Sequence, residues 1–243
     1  MLQTSPGPTV RPSRRWFFGG CGVLAAGLAA FAVLTPLRSA YFVDPLAGPA
    51  SPQLAVPAAK YGYTPQGLQR LASRSRFDRP TVKTVAGNYL TIPQFTAEVS
   101  VTLAEGDIAY VGLGRATNDP RYFGEPSNSF LFRIHNMGQT RIDIAAAQSG
   151  RDTHFVDIRN VSIYNPGATT RFRIVRDGDY VTLSIPGENV RRTYSLAQYN
   201  PHLGLTDDNT FLFFGNIVPG TVFSDFRVTR TTPDDEDPAP GAR

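Results

Sequence analysis

The sequence predicts an all-β domain of two antiparallel sheets packed face to face, preceded by one N-terminal hydrophobic helix. Three observations predict it. Apolar side chains recur with a period of two across about 160 residues, the repeat of a strand with one dry and one wet face. The repeats are short and end in Gly, Asn and Asp turns. No long helical period separates them, so sheet must pack on sheet. A closed β-barrel is the alternative that the same pattern allows.

The first 40 residues form a leader of different character. They hold Arg11, Arg14, Arg15 and Arg38 and no acidic residue, which leaves 20 basic and 20 acidic residues for the rest. The net charge of +4 therefore belongs to the leader, and the basic balance gives no reason to expect a nucleic-acid partner. Residues 17–34, FFGGCGVLAAGLAAFAVL, are 18 positions without a charged or strongly polar side chain. A basic arm, an apolar run and a more polar stretch, in that order, read as an export signal or a signal anchor. As a helix the run spans about 27 Å, close to the ~30 Å of a bilayer core. Cleavage after Ala40 places Arg38 where a small residue is needed, and cleavage after Ala50 lies far beyond the run. A retained anchor with its N-terminus inside is the preferred reading, and a cleaved leader is the alternative. Cys21, the only cysteine, lies in the run, so the exported part has no disulfide and rests on its hydrophobic core alone.

Residues 41–66 are rich in Pro, Ala and Gly and read as a linker. The domain is expected over residues 67–231, opening with one or two helical turns in residues 67–77. Phe95, Ala97, Val99, Val101 and Leu103 take one face of the first clear strand, with Thr96, Glu98, Ser100 and Thr102 on the other. Residues 108–113 follow. Phe130, Phe132 and Ile134 alternate with Leu131, Arg133 and His135, then Ile142 and Ile144 with Arg141 and Asp143. Residues 155–161 make a further strand. In RFRIVRDGDYVTLSI, residues 171–185, Phe172 and Ile174 face in before Asp177-Gly178, and Val181, Leu183 and Ile185 face in after it. That pair of turn residues predicts a tight hairpin. Strands are also expected at 191–196, 202–205, 211–215 and 221–229, the last with Val222, Ser224, Phe226 and Val228 on one face. Of the 16 phenylalanines of the chain, the 13 beyond residue 40 can supply an inter-sheet core. Residues 232–243, TPDDEDPAPGAR, carry no large apolar side chain and are expected to be a disordered, solubilising acidic tail.

Two resemblances add to this reading. SRRWFF at residues 13–18 resembles a twin-arginine translocation signal: Ser13, Arg14, Arg15 and Phe17 match its pattern, while Phe18 and Gly19 depart from it. The resemblance implies that Arg14 and Arg15 are read by an export receptor. Residues 77–230 resemble the concanavalin A-like lectin/glucanase fold, including laminin-G-like domains. The resemblance rests on Phe77-Asp78, on the FRIVRDGDYVTLSI hairpin and on the ending FLFFGNIVPGTVFSDFRVTR, with Phe223, Phe226 and Val228 in its last strand. It implies a two-sheet jelly-roll sandwich.

Glycanases on that fold often carry a Glu-x-Asp-x-x-Glu strand whose carboxylates share a face. The sequence has no such motif, and its glutamates Glu98, Glu105, Glu125, Glu188 and Glu236 are scattered. Asp143 and Asp225 are the aspartates placed to line a sheet face, where a solvated surface role is the ordinary one. His135, His154 and His202 lack a zinc-ligand spacing. No resident cofactor is expected. Asp207, Asp208 and Asn209 are the weak candidates for a Ca²⁺ ion, although turns favour these residue types anyway. Tyr180 stands out as an exposed ring, because Val181 and Leu183 set the opposite register. The expected ligand-binding surface is the polar loop GRATNDPRYFGEPSNS, residues 114–129, and the sheet face beside it. There Asn118, Asp119, Arg121 and Glu125 offer directional hydrogen bonds and Tyr122 an apolar ring, with an ordinary surface loop as the plain alternative.

The functional expectation is an exported or membrane-anchored, extracytoplasmic binding module for a glycan or envelope polysaccharide. An envelope protein–protein interaction domain is the first alternative, and a glycoside hydrolase the second.

Overall fold

The computed structural model describes residues 40–49, 51–72, 80–115, 128–137, 139–148, 154–161 and 167–231, all within one compact unit, Arg38–Arg243. The leader with Arg14 and Arg15, the Phe77-Asp78 opening, the loop residues Asn118, Asp119, Arg121, Tyr122 and Glu125, and the tail from Thr232 lie outside the described residues. No helix among the described residues is long and apolar enough to cross a membrane.

In chain order the strands are β1 (Phe42–Asp44), β2 (Leu54–Ala55), β3 (Tyr61–Thr64), β4 (Gly67–Arg70), β5 (Thr81–Thr84), β6 (Gln94–Thr102), β7 (Ile108–Gly114), β8 (Ser129–Met137), β9 (Gln139–Gln148) and β10 (His154–Val161). They continue with β11 (Thr169–Asp177), β12 (Tyr180–Ile185), β13 (Val190–Ser195), β14 (Phe211–Asn216) and β15 (Val222–Thr229), and α1 (Leu196–Leu203) lies between β13 and β14. They form two antiparallel sheets, as a jelly-roll sandwich requires. One has eight strands in the order β13-β12-β11-β6-β15-β4-β3, with β1 also on β15. The other has seven, in the order β10-β9-β8-β7-β14-β5-β2.

The predicted alternation fills the space between the sheets. Phe95, Val99, Phe172, Ile174, Val181 and Leu183 of the eight-stranded sheet meet Phe130, Phe132, Ile144 and Phe214 of the seven-stranded sheet. Phe132 lies edge-on to Phe172 with centroids 5.0 Å apart, and Phe214 contacts Phe223 at 4.8 Å and Phe226 at 5.3 Å. At one open edge Arg192 of β13 reaches Asp157 of β10 through Nε at 3.1 Å, tying the two sheets together. Near one end Asp107, fully buried, accepts from the backbone of Ile108, Ile217 and Val218 and from Asn216 Nδ2 at 2.7 Å. A buried carboxylate with this many donors is a clamp on the connection from β14 to β15.

Five details differ from the sequence reading. Residues 41–66, read as a linker, supply β1, β2 and β3. These pieces are too short to show a period, and β1 finds its partner in distant β15, where Phe42 packs on Phe226 at 5.5 Å. Residues 67–70, read as helical, form β4 against β15. Residues 202–203, read as strand, end α1, where Gly204 adopts the left-handed φ of 58° as its C-cap. In β15 the strict alternation fails. A bulge between Ser224 and Arg227, with Asp225 at φ 51°, sends Phe223 and Phe226 both inward and leaves Val222 and Ser224 outward. The β11–β12 turn is centred one residue later than expected, on Gly178 and Asp179, with Gly178 at φ 53°.

Candidate ligand-binding face

Each sheet has an outer face, and the two differ sharply. On the eight-stranded sheet the register aligns side chains in transverse rows. Arg191, Ser184, Arg173, Glu98, Arg227 and Val43 form one row across six strands. Next to it run Thr193, Thr182, Val175, Thr96 and Thr229. Then come Ser195, Tyr180, Asp177 and Gln94. Short hydroxyl side chains lie low between long ones, and pairs such as Thr182–Thr193 at 3.0 Å satisfy one another. Glu98 is 3% exposed although it faces outward. Its Oε1 accepts from Arg173 Nε at 2.7 Å and its Oε2 from Arg227. The sequence showed Glu98 as an isolated glutamate. The two arginines that hold it come from strands 75 and 129 residues away in sequence.

Tyr180 projects from this face as expected, 56% exposed. In the same row Gln94 Nε2 donates to Asp177 Oδ1 at 3.2 Å. Beyond them Tyr41, 37% exposed, donates its hydroxyl to the Gln94 carbonyl at 3.0 Å. Two exposed phenol rings thus flank a carboxylate–amide pair. Tyr41 was not singled out in the sequence. Its place follows only from the pairing of β1 with β15.

Much of the outer face of the seven-stranded sheet is buried. Tyr110, Leu131, Ala145, Ala147 and Phe213 are each at most 1% exposed. The rings lie over glycines. A Cβ on Gly112 would stand 2.4 Å from Phe213 Cζ, and one on Gly215 would stand 2.5 Å from the Tyr110 hydroxyl. Tyr110 donates to the Pro80 carbonyl at 2.7 Å. Further along, Asp143 is fully buried on this face, not solvated as the sequence suggested. Its Oδ2 takes Arg133 Nη2 at 3.0 Å and lies 3.2 Å from His135 Nε2, and its Oδ1 faces Arg141 Nε at 2.8 Å. Burial acts to raise the carboxyl's pKa, but the hydrogen bonds from His135, Arg133 and Arg141 outweigh it and hold Asp143 below the usual carboxylate range.

Among the described residues no strand face carries a carboxylate pair of the glycanase kind at these two centres. Asp143 shares its face of β9 with Arg141 and Ala145, and Glu98 shares its face of β6 with Thr96 and Ser100. The expected loop leaves the seven-stranded sheet between β7 and β8, where Arg115 N donates to the Asn128 carbonyl at 3.1 Å. Tyr180 therefore belongs to the opposite sheet from that loop's base. Asp207, Asp208 and Asn209 sit in a turn in which Asn209 Oδ1 accepts from Thr206 N at 2.8 Å and Asp208 Oδ1 from the Thr206 hydroxyl at 2.5 Å. No group of three His, Cys, Asp or Glu among the described residues is placed to hold a metal ion.

The architecture is a two-sheet jelly-roll sandwich, and several solved structures are similar to it. A Crh5 transglycosylase solved in complex with NAG is similar over 80% of this chain and 86% of its own, with a TM-score of 0.54 and 18% identity. A carbohydrate-binding module, CBM66 from Bacillus subtilis, is 11% identical over 74% of this chain and 96% of its own, with a TM-score of 0.48. Alginate lyase A1-II', of polysaccharide lyase family 7, is 12% identical over 76% and 86%, with a TM-score of 0.43. No family model and no curated protein matches the sequence. At these identities the likeness shows the fold, a jelly-roll sandwich, and leaves ligand and activity to the residues of the site.

Proposed function

We propose that this chain is an exported glycan-binding module. In this reading the leader carries the sandwich out of the cytoplasm by way of Arg14 and Arg15 and retains it at the membrane, and the Tyr180 end of the eight-stranded sheet receives the glycan. The observation that carries the proposal is the exposed row of Tyr180, Asp177 and Gln94 with Tyr41 beyond it. A phenol ring held in water on a rigid sheet is matched by the apolar face of a pyranose, while the carboxylate and amide beside it pair with sugar hydroxyls. The fold likeness supports the same class of ligand. Protein contact in the envelope is the second reading, favoured by Val43, 71% exposed beside Tyr41 at the sheet edge.

Retention of the full chain on insoluble envelope polysaccharide, backed by a glycan array, tests the site. Replacing Tyr41 and Tyr180 together by Ala is expected to lower retention at least tenfold, while Arg121→Ala with Tyr122→Ala leaves it unchanged. The reverse pattern moves the site to the β7–β8 loop. Unchanged retention in both double variants sinks the glycan reading. Export is tested separately: Arg14→Lys with Arg15→Lys is expected to trap the chain in the cytoplasm, and normal export of that variant without the general secretory route removes the twin-arginine assignment.

A further inference from the structure

A sugar can offer a carboxylate either a hydroxyl or an ammonium, and the Tyr180 end of the eight-stranded sheet is built to tell them apart. Asp177 and Tyr180 stand directly opposite each other across β11 and β12, and Gln94 of β6 is opposite Asp177 on its other side. Directly opposed residues carry their Cβ atoms about 5 Å apart on one face. Asp177 and Tyr180 are both exposed. Gln94 Nε2 donates to Asp177 Oδ1 at 3.2 Å, and among the described residues Oδ2 accepts no hydrogen bond. The hairpin tip that presents them is tied down on two sides. Gly178 N donates to the Pro93 carbonyl and Leu196 N to the Asp179 carbonyl, each at 2.8 Å. The ring and the free carboxylate oxygen are therefore held in place before a ligand arrives.

The local charge is negative. Asp179, exposed in the same turn, is a second carboxylate. Arg176, buried, donates Nε to the Gly178 carbonyl at 2.6 Å and is attracted to Asp179, so it offsets one of the two charges. No described lysine or arginine stands in the row of Ser195, Tyr180, Asp177 and Gln94, or in the row of Thr193, Thr182, Val175, Thr96 and Thr229 beside it. Arg173, on the same face, lies four residues back along β11. That is about 13 Å, whereas exposed charges are screened over about 8 Å at physiological salt. The arginines of the face thus do not reverse the sign at this end.

A pyranose stacked on Tyr180 carries its equatorial substituents at its rim, on the side where Asp177 stands. An ammonium at that rim adds ion pairing to the hydrogen bond that a hydroxyl would make. A sugar carboxylate in the same place is repelled. We propose that the Tyr180 end takes glycans bearing free amino groups, 2-amino-2-deoxy sugars such as glucosamine, and that Asp177 selects them over N-acylated and uronate-containing chains. The inference rests on the glycan reading of this face and adds the class of sugar.

The test is isothermal titration of the full chain with hexamers of glucosamine and of N-acetylglucosamine, at low ionic strength and mildly acidic pH, so that the sugar amines carry their proton. The glucosamine hexamer is expected to bind about tenfold more tightly, a preference that shrinks as salt is added. D177N keeps the size of the side chain and an acceptor for Gln94, and is expected to narrow the preference to about twofold or less. Y180A is expected to weaken both hexamers. Equal affinity for the two hexamers in wild type overturns the proposal and leaves the glycan reading standing, and so does a preference that survives D177N. Polylysine bound as tightly as the glucosamine hexamer also overturns it, since bare charge attraction would then suffice. Binding of neither hexamer, together with no retention on envelope polysaccharide, overturns both readings.

Discussion

The two outer faces are built from the same alternation and reach opposite ends. On the eight-stranded sheet the outward positions are hydroxyls, arginines and one carboxylate, and Tyr180 stands 56% exposed among them. On the seven-stranded sheet the outward positions include glycines with rings laid over them, and Tyr110 and Phe213 are buried. Both faces hold a buried carboxylate, Glu98 on one and Asp143 on the other. The difference lies in the neighbours. Glu98 sits in a hydroxyl field with two arginines, whereas Asp143 is enclosed by Arg133, His135 and Arg141 beside an apolar floor. A period of two fixes which side chains point outward, and the partner strands fix whether outward means wet.

The sharpest way to break this contrast is to remove Asp143. Asp143→Ala leaves cationic neighbours facing a buried gap and is expected to cost about 3 kcal/mol in chemical denaturation. The same carboxyl gives a pH signature. Its folded pKa is depressed, so its contribution is present above the unfolded value of about 3.9 and is lost as pH falls through the lower folded value. Below pH ~4 the gap between wild type and Asp143→Asn should therefore shrink. A gap that stays constant from pH 7 to 3 would contradict the role given to Asp143.

Gly112→Ala comes next. The new methyl meets Phe213 and the Phe130 carbonyl, so the ring must leave its glycine, and the expected loss is about 2 kcal/mol. A neutral effect on the melting temperature would show that the ring layer is loosely held. On the wetter sheet the effects are smaller. Glu98→Gln weakens the contacts to Arg173 and Arg227 and is expected to cost about 1.5 kcal/mol, less at high salt. The smallest change is Thr182→Ala, which breaks one hydroxyl pair on the open face and should stay within about 0.5 kcal/mol. A loss as large as that of Gly112→Ala would mean that the two faces are not different in kind.

The strands carrying long, regular alternation were legible. Phe95, Ala97, Val99 and Val101 in β6 and Phe172 and Ile174 in β11 point inward as their spacing requires. The candidate site was legible only in part. Tyr180 follows from the hairpin register, but Tyr41 becomes its companion through a pairing between β1 and β15 that no local pattern announces. Glu98 and Asp143 look like separate surface acids in sequence because their partners arrive from other strands. The bulge at Asp225 was illegible for a related reason. One extra residue inverts the faces of β15 while leaving its composition unchanged.

What the sequence by itself determined is the class of architecture and the sorting of most side chains into inward and outward, because a strand's geometry forces alternation whatever its neighbours are. It also determined the leader's basic-then-apolar order, which is local. The tertiary structure decided which outward face is dry, which carboxylates are buried, and which arginines, rings and hydroxyls stand together, because those properties belong to pairs of strands far apart in the chain and exist only once the sheets are ordered.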